Sequence, residues 1–132
     1  MGYNILLIDD SMIVRQVIKK SLGLTNLEIN QVFEAGNGLE ALNLLEESWI
    51  DIIFLDINMP IMNGVEFIDK LRANEEHRNT PVIVISTEGA RERKAQLADK
   101  DVRAYLRKPV TPELLTETIN ETLGSSEGYG MF

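Results

Sequence analysis

Four short apolar stretches of this chain each lead into a side chain that can do chemistry. Asp9 and Asp10 follow Ile5-Leu6-Leu7-Ile8, and Asp56 follows Ile52-Ile53-Phe54-Leu55. Ser86 follows Val82-Ile83-Val84-Ile85, and Lys108 follows Tyr105-Leu106-Arg107. Stretches this short and apolar read as strands, and in a parallel sheet they are buried on both faces. Their ends then share one edge, so the polar groups converge. Two carboxylates about 5 Å apart repel by about 3 kcal/mol at an effective dielectric near 20. Three in one place are strained unless they take up a proton or a hard divalent cation. Mg²⁺ suits such a place, because it binds through one or two carboxylates plus phosphate oxygens. The lysine argues for more than a metal, since a cation beside a metal site is useful only if further negative charge arrives. A phosphoryl group brings that charge. Asp56 is then a candidate nucleophile forming an aspartyl phosphate. Mg²⁺ and Lys108 would neutralise the equatorial oxygens of the transferred group, and Ser86 would donate its hydroxyl to one of them.

The elements that must position these groups alternate along the chain. Tyr3 to Ile8 reads as the first strand. From Ser11 the period changes: Ile13, Val14, Val17, Ile18 and Leu22 share one face and Arg15, Gln16, Lys19 and Lys20 the other, an amphipathic helix. Ile29 to Ala35 is a more polar strand, as at a sheet edge. Gly36-Asn37-Gly38 is a turn, and no Lys-Ser/Thr follows to make it a phosphate loop. Leu39, Ala41, Leu42 and Leu45 mark a second helix ending near Ser48, with Trp49 capping it or packing at its end. Ile52 to Leu55 is the third strand. Asn58-Met59-Pro60 and Asn63-Gly64 punctuate the loop before a third helix on Val65, Phe67, Ile68 and Leu71. Pro81 opens the fourth strand. A fourth helix over residues 90–100 has few and small apolar residues, so it is held weakly and is a natural moving part. A short fifth strand spans 104–106. Thr111 caps a fifth helix with Pro112 in its first turn, and that helix continues to Gly124. Residues 1–124 make one domain, and the aperiodic tail 125–132 is expected to be mobile. Five strand–helix units in alternation imply an α/β fold, a parallel sheet with helices on both faces.

The composition excludes several classes. The chain has 132 residues, 44% hydrophobic and 26% charged, ordinary for one soluble domain. Its net charge of −8 is wrong for gripping nucleic acid phosphates. No apolar run reaches the roughly 20 residues that span a bilayer. The first residues lack the basic start of a secretory signal. With no cysteine, disulfides and thiolate metal sites are excluded, which fits a cytoplasmic protein. The single His77 cannot make a histidine metal site and reads as exposed loop.

In combination and order, Asp9-Asp10, Asp56 with Met59-Pro60 and Gly64, Ser86, and Lys108-Pro109 are highly specific. Over residues 3–124 the chain resembles the receiver domain of two-component response regulators, of the single-domain chemotaxis (CheY-like) type. The resemblance implies a doubly wound, flavodoxin-like sheet of strand order 2-1-3-4-5 with five helices. It also implies ligand binding beyond the carboxyl ends of the strands, a rule for which a chemotaxis receiver is itself one of the standard examples. By the same resemblance, Asp56 accepts phosphate from a sensor histidine kinase. Asp10 and Asp56 hold Mg²⁺ by their side chains and Asn58 by its carbonyl, with Asp9 supporting indirectly. Ser86 and Lys108 bind the phosphoryl group. Tyr105 is the switch aromatic coupled to Ser86, and the Lys108–Pro109 bond is cis. Asn58 and Glu88 stand where the family tunes phosphoryl lifetime; polar and acidic residues there predict a short-lived state. Residues 99–103 and Val110 depart from the usual pattern. Both border the output face of fourth helix, fifth strand and fifth helix, where an unidentified output protein would bind.

Bland readings compete at single positions. Asp9-Asp10 alone could be a helix N-cap, and Tyr105 alone could be packing. The leading function is a single-domain response regulator, expected as a monomer, that signals by phosphorylation-dependent binding. It catalyses only its own phosphotransfer and dephosphorylation. A phosphorelay intermediate or phosphate sink is the alternative within the family. A Mg²⁺-dependent phosphatase fits poorly, because Asn58 stands where that chemistry needs a second aspartate.

Overall fold

Side-chain alternation along the central strands decides how the layers form. The computed structural model describes residues 2–57, 62–86, 97 and 100–124. Its strands are β1 (Tyr3–Ile8), β2 (Ile29–Ala35), β3 (Ile52–Leu55), β4 (Val82–Ser86) and β5 (Val102–Arg107). Its α-helices are α1 (Met12–Gly23), α2 (Gly38–Glu47), α3 (Gly64–Ala73) and α4 (Pro112–Ile119), the last running into a π-helical turn, Asn120–Gly124. The strands form one parallel sheet of order β2-β1-β3-β4-β5, the order implied by the family resemblance.

Because successive residues point to opposite faces, each central strand feeds two cores. Leu6, Ile8, Ile53, Leu55, Val82 and Val84 pack under α2 and α3, through Ala41, Leu45, Phe67, Ile68 and Leu71. Ile5, Leu7, Ile52, Phe54, Ile83 and Ile85 pack on the other face with Ile18 and Leu22 of α1 and Leu115 and Ile119 of α4. Each such side chain contributes about 1.5–3 kcal/mol by leaving water. Strands buried on both faces cannot alternate apolar with polar, which is why β3 and β4 read as unbroken apolar runs.

The helices start where their caps dictate. Ser11 accepts the Val14 N–H at 3.2 Å, Asn37 that of Glu40 at 2.9 Å, and Thr111 that of Leu114 at 3.1 Å. Asn63 and Glu66 form a reciprocal capping box on α3. Ser11 is thus the cap of α1, and the N-cap reading of Asp9-Asp10 falls away.

Several sequence expectations need correcting. Ile13 and Val17 are exposed with Met12, although they share the apolar face of α1. The stripe is wider than the surface the sheet can cover, and only Ile18 and Leu22 are buried. Trp49 neither caps nor packs: it is 69% exposed. His77 is not exposed loop; it is 9% exposed, because the segment after α3 turns back on itself through His77 N–H to Asn74 O and Thr80 N–H to His77 O. Val110 is buried in the core under α1 and α4. The expected fourth helix at 90–100, apart from Leu97 and Lys100, and the expected mobile tail at 125–132 lie outside the described residues.

Candidate functional site

Strand register brings the acids together. Ile8 stands beside Leu55 in the β1–β3 pair, so Asp9 and Asp56 leave adjacent strands side by side. The Asp56 N–H still bonds Ile8 O at 2.8 Å, and the Asp9 N–H bonds Ala35 O at 3.1 Å. The ladder therefore holds both backbones rigidly to the point where the side chains emerge. Ser86 is the last residue of β4 and stands beside Arg107, and the Lys108 N–H bonds Ser86 O at 2.9 Å. Lys108 is thereby delivered to the same edge from β5. Its bond to Pro109 is cis.

Carboxylate oxygens of Asp9, Asp10 and Asp56 lie within 4.8 Å of one another. Asp9 is 4% and Asp56 8% exposed, whereas Asp10 is open to solvent. Lys108 Nζ donates to Asp9 Oδ2 at 2.7 Å and stands 4.0 Å from Asp56 Oδ2. Asp9 Oδ1 accepts the Ser11 N–H at 2.9 Å. Both Asp9 oxygens are therefore engaged by the protein. Ser86 is 3% exposed. Tyr105, on β5, is half-buried against the core under α2 and α3, and burial pushes its hydroxyl above the usual phenol value. Asn58 and Glu88 lie outside the described residues.

Three carboxylates and one ammonium sum to −2, in a partly water-excluded cup. Such a cup fits a hard divalent cation, because every donor atom offered is oxygen. Asp10 and Asp56 could hold such an ion by their side chains, whereas both Asp9 oxygens already accept hydrogen bonds from Lys108 and Ser11. Gly64 keeps the floor close: its N–H bonds Ile57 O at 3.0 Å, and a Cβ there would lie 2.8 Å from Ile57 Cα. A side chain would push α3 away from the segment that carries Asp56.

One supporting pair was not legible as part of the site. Arg15 reads as the polar face of a surface helix. Its Nη1 donates to the Asp9 carbonyl at 2.5 Å and its Nε to Glu34 Oε1 at 3.0 Å. Lys19 Nζ bonds the other Glu34 oxygen at 3.0 Å. Burial alone would raise the Glu34 pKa, but hydrogen bonds and charge from Lys19 and Arg15 prevail and hold it below the usual carboxylate value. The signal in the sequence was an arginine one turn into the helix after the acid pair. Recognising its partner required knowing that β2 lies beside β1.

The sequence and the fold are similar to those of known proteins. Residues 5–120 match the response regulator receiver domain family, and the chain belongs to it. It is 36% identical over 127 residues to a chemotaxis protein CheY homolog of Campylobacter jejuni, covering 96% of both chains. It is 34% identical over 124 residues to the chemotaxis protein CheY1 of Helicobacter pylori, covering 93% of this chain and 98% of that one. The solved structure of chemotaxis response regulator CheY4 of Vibrio cholerae superposes with a TM-score of 0.82 at 31% identity, over 93% of this chain and all of that one.

Proposed function

We propose that this chain is a single-domain response regulator of a chemotaxis pathway, phosphorylated on Asp56 by a sensor histidine kinase. One observation carries the reading: the oxygens of Asp9, Asp10 and Asp56 gather within 4.8 Å beside the ammonium of Lys108. The similarity to chemotaxis proteins over nearly the whole length of each supports the pathway.

In this reading Asp56 attacks the phosphorus of a phosphohistidine. A carboxylate O–P bond forms, the N–P bond breaks, and the imidazole leaves with its electron pair. Asp10, Asp56 and the Asn58 carbonyl, with Asp9 in support, would hold Mg²⁺, which would neutralise charge on the phosphoryl oxygens. Lys108 stands 4.0 Å from Asp56, so it can exchange its hydrogen bond to Asp9 for one to a phosphoryl oxygen with little movement. Ser86, at the end of the neighbouring strand, supplies a hydroxyl donor. Its displacement toward the phosphoryl group, coupled to Tyr105, changes the output face that β5 and α4 border, and an output protein binds the changed face. Asn58 and Glu88 set how long the acyl phosphate lasts by orienting the attacking water. The protein acts as a cytoplasmic monomer and turns over no external substrate, and its receiver domain spans residues 1–124.

The test is incubation with Mg²⁺ and a radiolabelled phosphohistidine donor. Wild type takes up one acid-stable, base-labile phosphate, and Asp56→Asn takes up none. Unmodified wild type, or equal labelling of Asp56→Asn, overturns the assignment. Retention of a partner only with beryllofluoride and Mg²⁺ identifies the output protein. Phosphate passed on to a second histidine would instead mark a relay, and turnover of free phosphomonoesters a phosphatase.

A further inference from the structure

A second concavity lies at the sheet edge opposite Asp56, where α2 ends, β3 begins and the chain turns after α3. It encloses about 440 Å³ and is lined by Leu45, Glu46, Glu47, Trp49, Glu76 and His77. Trp49 is the chain's one tryptophan and is 69% exposed, yet it is held in place. Its Nε1 donates to Asp51 Oδ1 at 2.9 Å, and its carbonyl accepts from Asn4 Nδ2 at 2.7 Å. Asp51 is anchored in turn, with Oδ2 accepting the Asn4 N–H at 2.8 Å. The indole is therefore fixed by its edge while its faces stay open, the form in which an aromatic residue anchors a partner.

The charges beside it have one sign. Glu46 and Glu47 end α2, and no basic residue lies in that last turn. A helix C-terminus already carries partial negative charge, so acids there are unfavourable and a cation is welcome. Glu76 adds a third exposed carboxylate from the facing turn. His77 is a separate observation, a polar ring in the wall of the same cavity. It is nine-tenths buried, and among the described residues its ring has no hydrogen-bond partner. No fully buried side-chain nitrogen or oxygen lacks a partner among the described residues, so the ring nitrogens reach solvent, and His77 lines the cavity.

We propose that this concavity docks an arginine side chain from a basic segment of a partner protein. A guanidinium is flat enough to stack on the indole, offers five N–H donors and no acceptor, and forks onto carboxylates. The lining offers the complement: an aromatic face, three carboxylates and an imidazole acceptor. A lysine ammonium would meet the charge but not the plane. Because β3 separates this surface from Asp56, the docking goes beyond the phosphorylation chemistry and does not depend on it.

Trp49 makes the test direct, since its fluorescence reports on this surface alone. The full chain is titrated at fixed ionic strength with the peptide acetyl-Gly-Arg-Gly-Arg-Gly-amide and with its lysine and glutamine counterparts. Expected are a saturable change with the arginine peptide, at least fivefold weaker binding of the lysine peptide, and none of the glutamine peptide. Glu46→Gln with Glu47→Gln raises the dissociation constant at least tenfold. Glu113→Gln with Glu117→Gln, the same charge change made on α4, alters it less than twofold, and Asp56→Asn leaves it unchanged. Equal weakening in the two double variants would reduce the effect to diffuse attraction by an acidic chain and overturn the proposal. So would an unsaturable signal, or lysine binding as tightly as arginine.

Discussion

Lys108 is the residue on which the site's electrostatics turn. It neutralises Asp9 through a 2.7 Å hydrogen bond and stands close enough to Asp56 to compete with a bound cation. Lys108→Met is therefore expected to bind Mg²⁺ at least tenfold more tightly, about 1.4 kcal/mol. It should also accept phosphate far more slowly; isothermal titration and phosphodonor kinetics measure the two effects. Glu34 shows the same logic one layer out. Its pKa is lowered in the folded chain, so its ionised form adds stability above the ordinary glutamate value, and that share is lost as pH falls through the lowered value. The stability difference between wild type and Glu34→Gln should accordingly shrink on acidification below about pH 5. Urea unfolding at a series of pH values checks it. A difference constant across that window would show that the ion pair with Arg15 and Lys19 contributes nothing.

At the scale of elements, Arg72 fastens more of the chain than any apolar pattern suggested. From α3 it donates to the carbonyls of Arg78, Thr80, Lys100 and Asp101 at 2.8, 2.7, 3.2 and 3.1 Å. It thereby ties the turns before β4 and β5 to one helix. Asp101 adopts φ 56°, a left-handed backbone where Asp is tolerated and Gly is preferred. The turn at Lys100 and Asp101 presents both carbonyls to Arg72. Arg72→Met strands several carbonyls and should cost about 3 kcal/mol in urea unfolding, while Mg²⁺ affinity changes little because the site is at the opposite edge. The central strands β3 and β4 were legible as elements because each is built on an uninterrupted apolar run bounded by polar residues. The exposure of Ile13 and Val17 was not, because periodicity reports a helix face and not how much of it the sheet covers.

For the whole molecule, the acidic cup couples stability to metal. Adding Mg²⁺ at about 100 times its dissociation constant should stabilise the folded chain by about 2.7 kcal/mol. In Asp56→Asn the gain should be smaller, because one ligand and part of the carboxylate repulsion are gone together. Thermal melts in EDTA and in Mg²⁺ measure both. An equal gain in the two proteins would mean that the metal binds away from Asp56. The two cores explain why such a strained edge is tolerated: the strands beneath it are buried on both faces, and their packing holds the acids where their own repulsion would part them.

The order of strands and helices, and the five groups that could share an edge, were determined by sequence alone. Apolar runs and the residues that end them are local features, and strand ends in a parallel sheet have nowhere else to go. Which groups actually touch was decided by tertiary structure. The pairing of Lys108 with Asp9, the tie from Arg15 to the Asp9 carbonyl, the burial of His77 and the exposure of Trp49 all depend on register and on which surfaces neighbouring elements cover. Those are properties of residues far apart in the chain, and no local pattern encodes them.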